Sequence, residues 1–295
     1  MSTILTNIKK IFFGSSIKSV ISSVLILAVV YIGLSFYVAK ELPEKLFDNK
    51  VSWASVPAYG YNLEFITNKD KQNISLWEFS NPKSDEAMLY LHGNSGRIND
   101  FIPPLYFAAG NVYTIAYPGY SESEGSPTPD NVLESAQLAY NKIIEKGYPE
   151  SKITILGHSM GGAPATYIAS KNPNAKKLVL INTFSSVQSM CMRQLSILCV
   201  FTSRIFPTMD YAKDVIIPVR QFAYKNDLTV PFQEGEKLFE SFVNVKNNDK
   251  KFIEMFKNTH TYPEWELIVK EIQVPQKQVQ TPIETQDQKI TAKPQ

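Results

Sequence analysis

An apolar strand pattern, KITILG (Lys152 to Gly157), runs without a spacer into Gly157-His158-Ser159-Met160-Gly161. It continues through Gly162 into the small-residue stretch Ala163 to Ala169. No other feature constrains the fold as tightly. A serine flanked by glycines where a strand turns into a helix must sit on a sharp bend, with its hydroxyl above the sheet edge. Glycine is required where strand and helix backbones close around that bend. The following helix then presents free N–H groups and its positive dipole end beside the hydroxyl. The Lys-Ser/Thr ending of a phosphate-binding loop is absent.

The surroundings supply the strands and helices this turn needs. NISLWEF (Asn73 to Phe79), AMLYLH (Ala87 to His92), NVYTIAYP (Asn111 to Pro118) and KLVLIN (Lys177 to Asn182) read as strands. So do IIPVRQFAY (Ile216 to Tyr224) and KFIEMF (Lys251 to Phe256). NVYTIAYP, KITILG and KLVLIN are apolar throughout, as parallel strands covered on both faces are. Between Asn111–Pro118 and KITILG lies a well-signalled helix. Thr128 can cap it, Pro129 starts it, Asp130 suits its positive end, and Gly147 ends it. Val132, Ala136, Ala139 and Ile143 share one face. Further helices are expected over Pro231 to Phe242 and Tyr262 to Ile272. The expected fold class is α/β, a mostly parallel sheet with helices on both faces over residues 57–272. Residues 183–214 break the rhythm and read as a short apolar cap. The polar tail, 273–295, reads as disordered.

Composition narrows the function. With 30 basic and 28 acidic residues there is no nucleic-acid footprint. Two cysteines, Cys191 and Cys199, match no zinc or redox spacing, and no structural disulfide is expected. The chain has three histidines. That scarcity decides the partners of Ser159. A nucleophilic serine needs a base, and a carboxylate to orient the base, here in the chain order serine, acid, histidine. His92 precedes the serine and His158 adjoins it, and both read as structural. His260, in a polar loop after KFIEMF, remains as the base. Asp227 follows the strand ending at Tyr224 and is the acid; Asp214 precedes that strand and lies at the wrong sheet end. The loop after AMLYL, His92-Gly93-Asn94-Ser95-Gly96, and the residue after the nucleophile offer the backbone N–H groups of Asn94 and Met160 as oxyanion donors. No metal or organic cofactor is called for.

Upstream, Ser19 to Ala39 carries no charge and is bounded by Lys18 and Lys40. A helix of this length reaches about 30 Å, the hydrocarbon thickness of a bilayer. It is long for a signal peptide, and no A-x-A site follows it. The expectation is an N-terminal flank (1–18), one membrane-spanning helix (19–39) and a connector from Glu41 to Val56. Lys9, Lys10 and Lys18 balance Lys40, Lys45 and Lys50. The α-amino group tips the count towards an inside N-terminus, with the large domain on the exoplasmic or periplasmic side.

Four motifs together resemble a known group. They are Leu91-His92-Gly93-Asn94-Ser95-Gly96, Tyr117-Pro118-Gly119-Tyr120-Ser121-Glu122-Ser123-Glu124-Gly125, Gly157 to Gly162, and Asn226-Asp227 with Val230-Pro231. The chain is similar, over Tyr61 to Ile272, to the α/β-hydrolase-domain proteins, especially their small membrane-anchored branch. That branch includes protein depalmitoylases and bacterial serine-aminopeptidase-like relatives. The resemblance implies an α/β-hydrolase fold, triad roles for Ser159, Asp227 and His260, and a site rim shaped by Tyr117 to Gly125. The expected activity is cleavage of a carboxylic ester or thioester, with a lipid or small-molecule acyl group as partner. Two alternatives stand beside it: an aminopeptidase-like amidase using Glu122 and Glu124 to hold a substrate amine, and a silent membrane-tethered binding module.

Overall fold

The computed structural model of the chain describes residues 15–47, 61–81, 83–94, 102, 104–106, 110–246, 249–257, 260 and 263–273. The expected flank up to residue 14, the connector from 48 to 56 and the tail from 274 lie outside these residues. Helix α1 spans Ser15–Leu46. Strands β1 (Asn62–Thr67), β2 (Asn73–Phe79), β3 (Ala87–Leu91) and β4 (Asn111–Ile115) follow, then α2 (Pro129–Glu145), β5 (Ile153–His158) and α3 (Gly162–Lys171). Next come β6 (Lys177–Ile181), α4 (Val187–Leu195), a 3₁₀ arm (Ser196–Thr202) and α5 (Thr208–Ala212). The chain closes with β7 (Val219–Tyr224), α6 (Phe232–Glu240), β8 (Lys250–Met255) and α7 (Trp265–Ile272).

The strands form one sheet in the order β1-β2-β4-β3-β5-β6-β7-β8. β1 and β2 are antiparallel at one edge, and β3 to β8 run parallel. Period-two alternation divides the core. Leu89, Leu91, Leu178 and Leu180 pack on one face with α2 and α3, while Met88, Tyr90, Val179 and Ile181 pack on the other with Ile268 of α7. Helix α2 has the expected ends: Thr128 Oγ1 accepts the Asn131 N–H at 3.2 Å, and Gly147 closes it at φ +98°. Strand β1 went unread in the sequence. It is an edge strand with four of six positions exposed, so it lacks the apolar run that announces its neighbours.

Helix α1 extends beyond the charge-free run: it continues through the first part of the expected connector to Leu46, and Phe47 after it is buried. One expectation needs correcting: the cysteines are not free. Cys191 and Cys199 form a disulfide across the α4-to-arm turn, their Cα atoms 5.9 Å apart. Spacing alone could not announce it, because the turn at Ser196 (φ +53°) folds the arm back on the helix.

The cap is tied to the sheet domain by one buried acid. Glu234 of α6 accepts hydrogen bonds from Ser185, from Ser189 Oγ at 2.8 Å and from Arg193 Nε at 3.0 Å. Burial alone would raise its carboxyl. The hydrogen bonds and the Lys237 charge outweigh that and hold it below the ordinary glutamate value of 4.5. A carboxyl lowered by folding contributes stability above its unfolded value, and loses it as pH falls through the folded one. Amide exchange over 187–202, corrected for the intrinsic rate, should therefore rise below about pH 4.5. Glu234→Gln should show the fast exchange already at neutral pH, without the acid step.

Candidate active site

The sheet order turns back on itself around β3, between β4 and β5. Loops leaving the carboxyl ends of β3 and β5 therefore flank a crevice, the place where open α/β sheets bind ligands. Leu91 pairs with Gly157 there, which brings His92-Gly93-Asn94 beside Ser159. Ser159 has φ +53°, a left-handed conformation that few side-chain-bearing residues adopt. Two glycines permit the bend. A Cβ on Gly157 would lie 2.5 Å from the Gly161 carbonyl oxygen, and one on Gly161 would overlap the Leu91 and His92 carbonyls. Thr183 Oγ1 donates to the Ser159 carbonyl at 2.7 Å and braces the turn.

The structure brings Ser159, His260 and Asp227 into one chain of hydrogen bonds. Ser159 Oγ lies 2.9 Å from His260 Nε2, and His260 Nδ1 lies 2.6 Å from Asp227 Oδ2. Asp227 is buried, and its Oδ1 accepts the N–H groups of Thr229 at 2.7 Å and Val230 at 2.9 Å. Its orientation is thus set by backbone. The carboxylate in turn fixes His260 with a proton on Nδ1, leaving Nε2 to accept from the serine. A hydroxyl so placed can lose its proton as it attacks a carbonyl carbon.

The other two histidines are scaffolding. Burial pushes His158 down to about 3, so it is neutral, and its Nε2–H donates to the His260 carbonyl at 2.9 Å. Burial likewise pushes His92 down to about 3; it stacks on Tyr117 with centroids 4.0 Å apart, and its Nδ1–H donates to the Gly93 carbonyl at 2.6 Å. Asn94 and Met160 line the same cavity as Ser159. The Tyr117-to-Gly125 loop holds the Asn94 segment from behind. Tyr117 Oη donates to the His92 carbonyl at 2.9 Å, and Tyr120 Oη to the Asn94 carbonyl at 3.1 Å.

Sequence reasoning missed Asn182. Its Nδ2 donates to the His260 carbonyl at 3.2 Å while its Oδ1 accepts the Tyr224 N–H at 2.9 Å. It bridges the end of β7 to the histidine loop. The available signal was a polar residue closing the apolar strand KLVLIN at the sheet's carboxyl edge. Asn182→Leu should lower kcat by roughly 10- to 100-fold with little change in KM, since a displaced base affects chemistry more than binding. A change in KM alone would contradict this positioning role.

The cavity over Ser159 has a volume of about 190 Å3. Its walls are mostly apolar and include Leu42 and Leu46 of α1, Phe184, and Val187 and Met190 of α4. Neither Glu122 nor Glu124 is among its lining residues. Glu122 hydrogen-bonds to Ser121, and Glu124 accepts the Asn73 N–H at 2.8 Å.

Residues 86–195, from the approach to β3 through α4, match the family model described as the alpha/beta hydrolase fold. Among curated proteins, Bem46 of Schizosaccharomyces pombe is 28% identical over 217 residues, covering 64% of this chain and 73% of its own. Lysophosphatidylserine lipase ABHD12 of Danio rerio is 28% identical over 214 residues, covering 64% of this chain and 54% of its own. Among solved structures, an esterase of Pyrococcus furiosus superimposes with a TM-score of 0.58 at 19% identity, over 73% of this chain and 90% of that one. Sheet order, the serine turn and these similarities agree: the chain has the α/β-hydrolase fold and carries an N-terminal apolar helix long enough to span a membrane.

Proposed function

We propose that the protein is a single-pass membrane serine hydrolase that cleaves carboxylic esters or thioesters of lipidic acyl groups. The observation that carries this reading is the Ser159–His260–Asp227 relay opening into a mostly apolar cavity. His260 takes the Ser159 proton as the hydroxyl attacks the acyl carbon. The oxyanion accepts hydrogen bonds from the Asn94 and Met160 N–H groups. His260 then protonates the leaving alcohol or thiol, and afterwards draws a proton from the water that releases the acyl group. The lipase name of the zebrafish relative is consistent with an acyl-lipid substrate. The placement of Glu122 and Glu124 away from the cavity gives an amine-binding amidase no comparable support.

A series of p-nitrophenyl esters tests the substrate class. While each added methylene still gains apolar wall, kcat/KM should rise roughly three- to fourfold per CH₂. The rise should stop once the chain fills the cavity. A profile that is flat, or falls from acetate onwards, would remove the lipidic substrate and leave a small-ester hydrolase.

A further inference from the structure

Helix α1 does more than anchor. Beyond Lys40 it reaches Leu46, and its last turns place Leu42 and Leu46 on the cavity wall. Further back, Tyr31 Oη donates to the Ile197 carbonyl at 2.8 Å, and Phe36 stacks on Phe201 with centroids 4.4 Å apart. Ser35, between them, is fully buried. The 3₁₀ arm of the cap therefore lies along the helix. At 1.5 Å rise per residue, Tyr31 sits about 12 Å before Ala39, the end of the charge-free run. A bilayer that holds residues 19–39 in its hydrocarbon places the tip of the arm well inside one leaflet.

The chemistry of the arm suits that depth. Leu195, Ile197, Val200 and Phe201 are all exposed, Ile197 by 63%. No charged residue occurs between Arg193 and Arg204. In water this would be a contiguous exposed apolar patch on a protein whose other large apolar side chains are mainly packed. Against acyl chains the same surface is matched, and Arg204, exposed at its edge, can reach headgroups.

We propose that the apolar segment Leu195–Phe201, the end of α4 and most of the arm, is embedded in the bilayer leaflet alongside α1, and that the Ser159 cavity takes its acyl chain laterally from that leaflet. Leu42 and Leu46 form the membrane-side wall along which the chain enters. The entry route rests on the hydrolase reading above; the embedding of the arm does not.

The test uses the full chain reconstituted in phosphatidylcholine vesicles whose acyl chains carry bromine. Ile197→Trp and Phe201→Trp are compared with the parent, whose own tryptophan emission is subtracted. Val243→Trp, at an exposed site beyond the end of α6, is the aqueous control. Emission from positions 197 and 201 should be quenched by acyl-chain bromine and shielded from aqueous iodide. The control should show the reverse. In parallel, Ile197→Asp should reduce hydrolysis of a long-chain ester dissolved in vesicles by on the order of tenfold or more. Hydrolysis of soluble p-nitrophenyl acetate should be unchanged. Iodide-accessible signals at 197 and 201 in an active parent overturn the embedding and leave the hydrolase reading intact. Bromine quenching in a parent that turns over no ester upholds the embedding and overturns lateral substrate entry.

Discussion

Ser159→Ala should abolish labelling by a fluorophosphonate probe and lower kcat on any ester substrate by on the order of 10⁵- to 10⁶-fold. The size of the loss follows from the geometry. His260 Nε2 makes its 2.9 Å contact to the Ser159 hydroxyl, so removing that oxygen leaves the base with nothing to deprotonate except water. The oxyanion donors proposed above, Asn94 and Met160, and the apolar cavity survive the change, so a small residual rate above solution should persist. The fold should survive as well. Alanine at φ +53° is no more strained than serine, and the brace from Thr183 reaches the backbone carbonyl and not the side chain. Thermal unfolding should accordingly shift by only a few degrees, as for changes near 1 kcal/mol or less. Labelling that persists in the variant would place the nucleophile elsewhere. A parent chain that resists the probe altogether would favour a silent binding module.

How far the sequence carried depended on whether local pattern or distant packing fixed each feature. Strands β4, β5 and β6 are buried throughout or nearly so, and their unbroken apolar runs announce them. The serine turn was legible because its two close backbone approaches demand glycine. His260 and Asp227 were legible by elimination: chain order and sheet direction leave few candidates, and both stand at carboxyl ends of strands. The features that escaped depend on distant partners. Asn182 looks like any strand-ending polar residue until the histidine loop arrives from β8. Leu42 and Leu46 look like linker until the cap folds over them. The disulfide needed the reversal at Ser196, a positive-φ position that serine does not advertise.

The second large effect is expected at Asp227, and the network around it dictates which substitution is informative. Oδ1 is held by two backbone N–H groups, from Thr229 and Val230, so the acceptor oxygen of an asparagine would be retained at that position. The amide NH₂ would then face His260 Nδ1, where the carboxylate oxygen now accepts at 2.6 Å. Two donors cannot share that contact, so the imidazole would switch tautomer and carry its proton on Nε2. A ring protonated there cannot take the serine proton. Asp227→Asn should therefore lower kcat by about 10⁴-fold while packing is nearly unchanged. Asp227→Ala leaves the tautomer free and so should lose less activity, but it strips two backbone N–H groups of their acceptor and should be the less stable variant. The two substitutions thus order oppositely in rate and in thermal midpoint. If the asparagine variant retains more activity than the alanine variant, the carboxylate does not set the histidine's tautomer, and its part in the relay is only to hold the Thr229–Val230 turn.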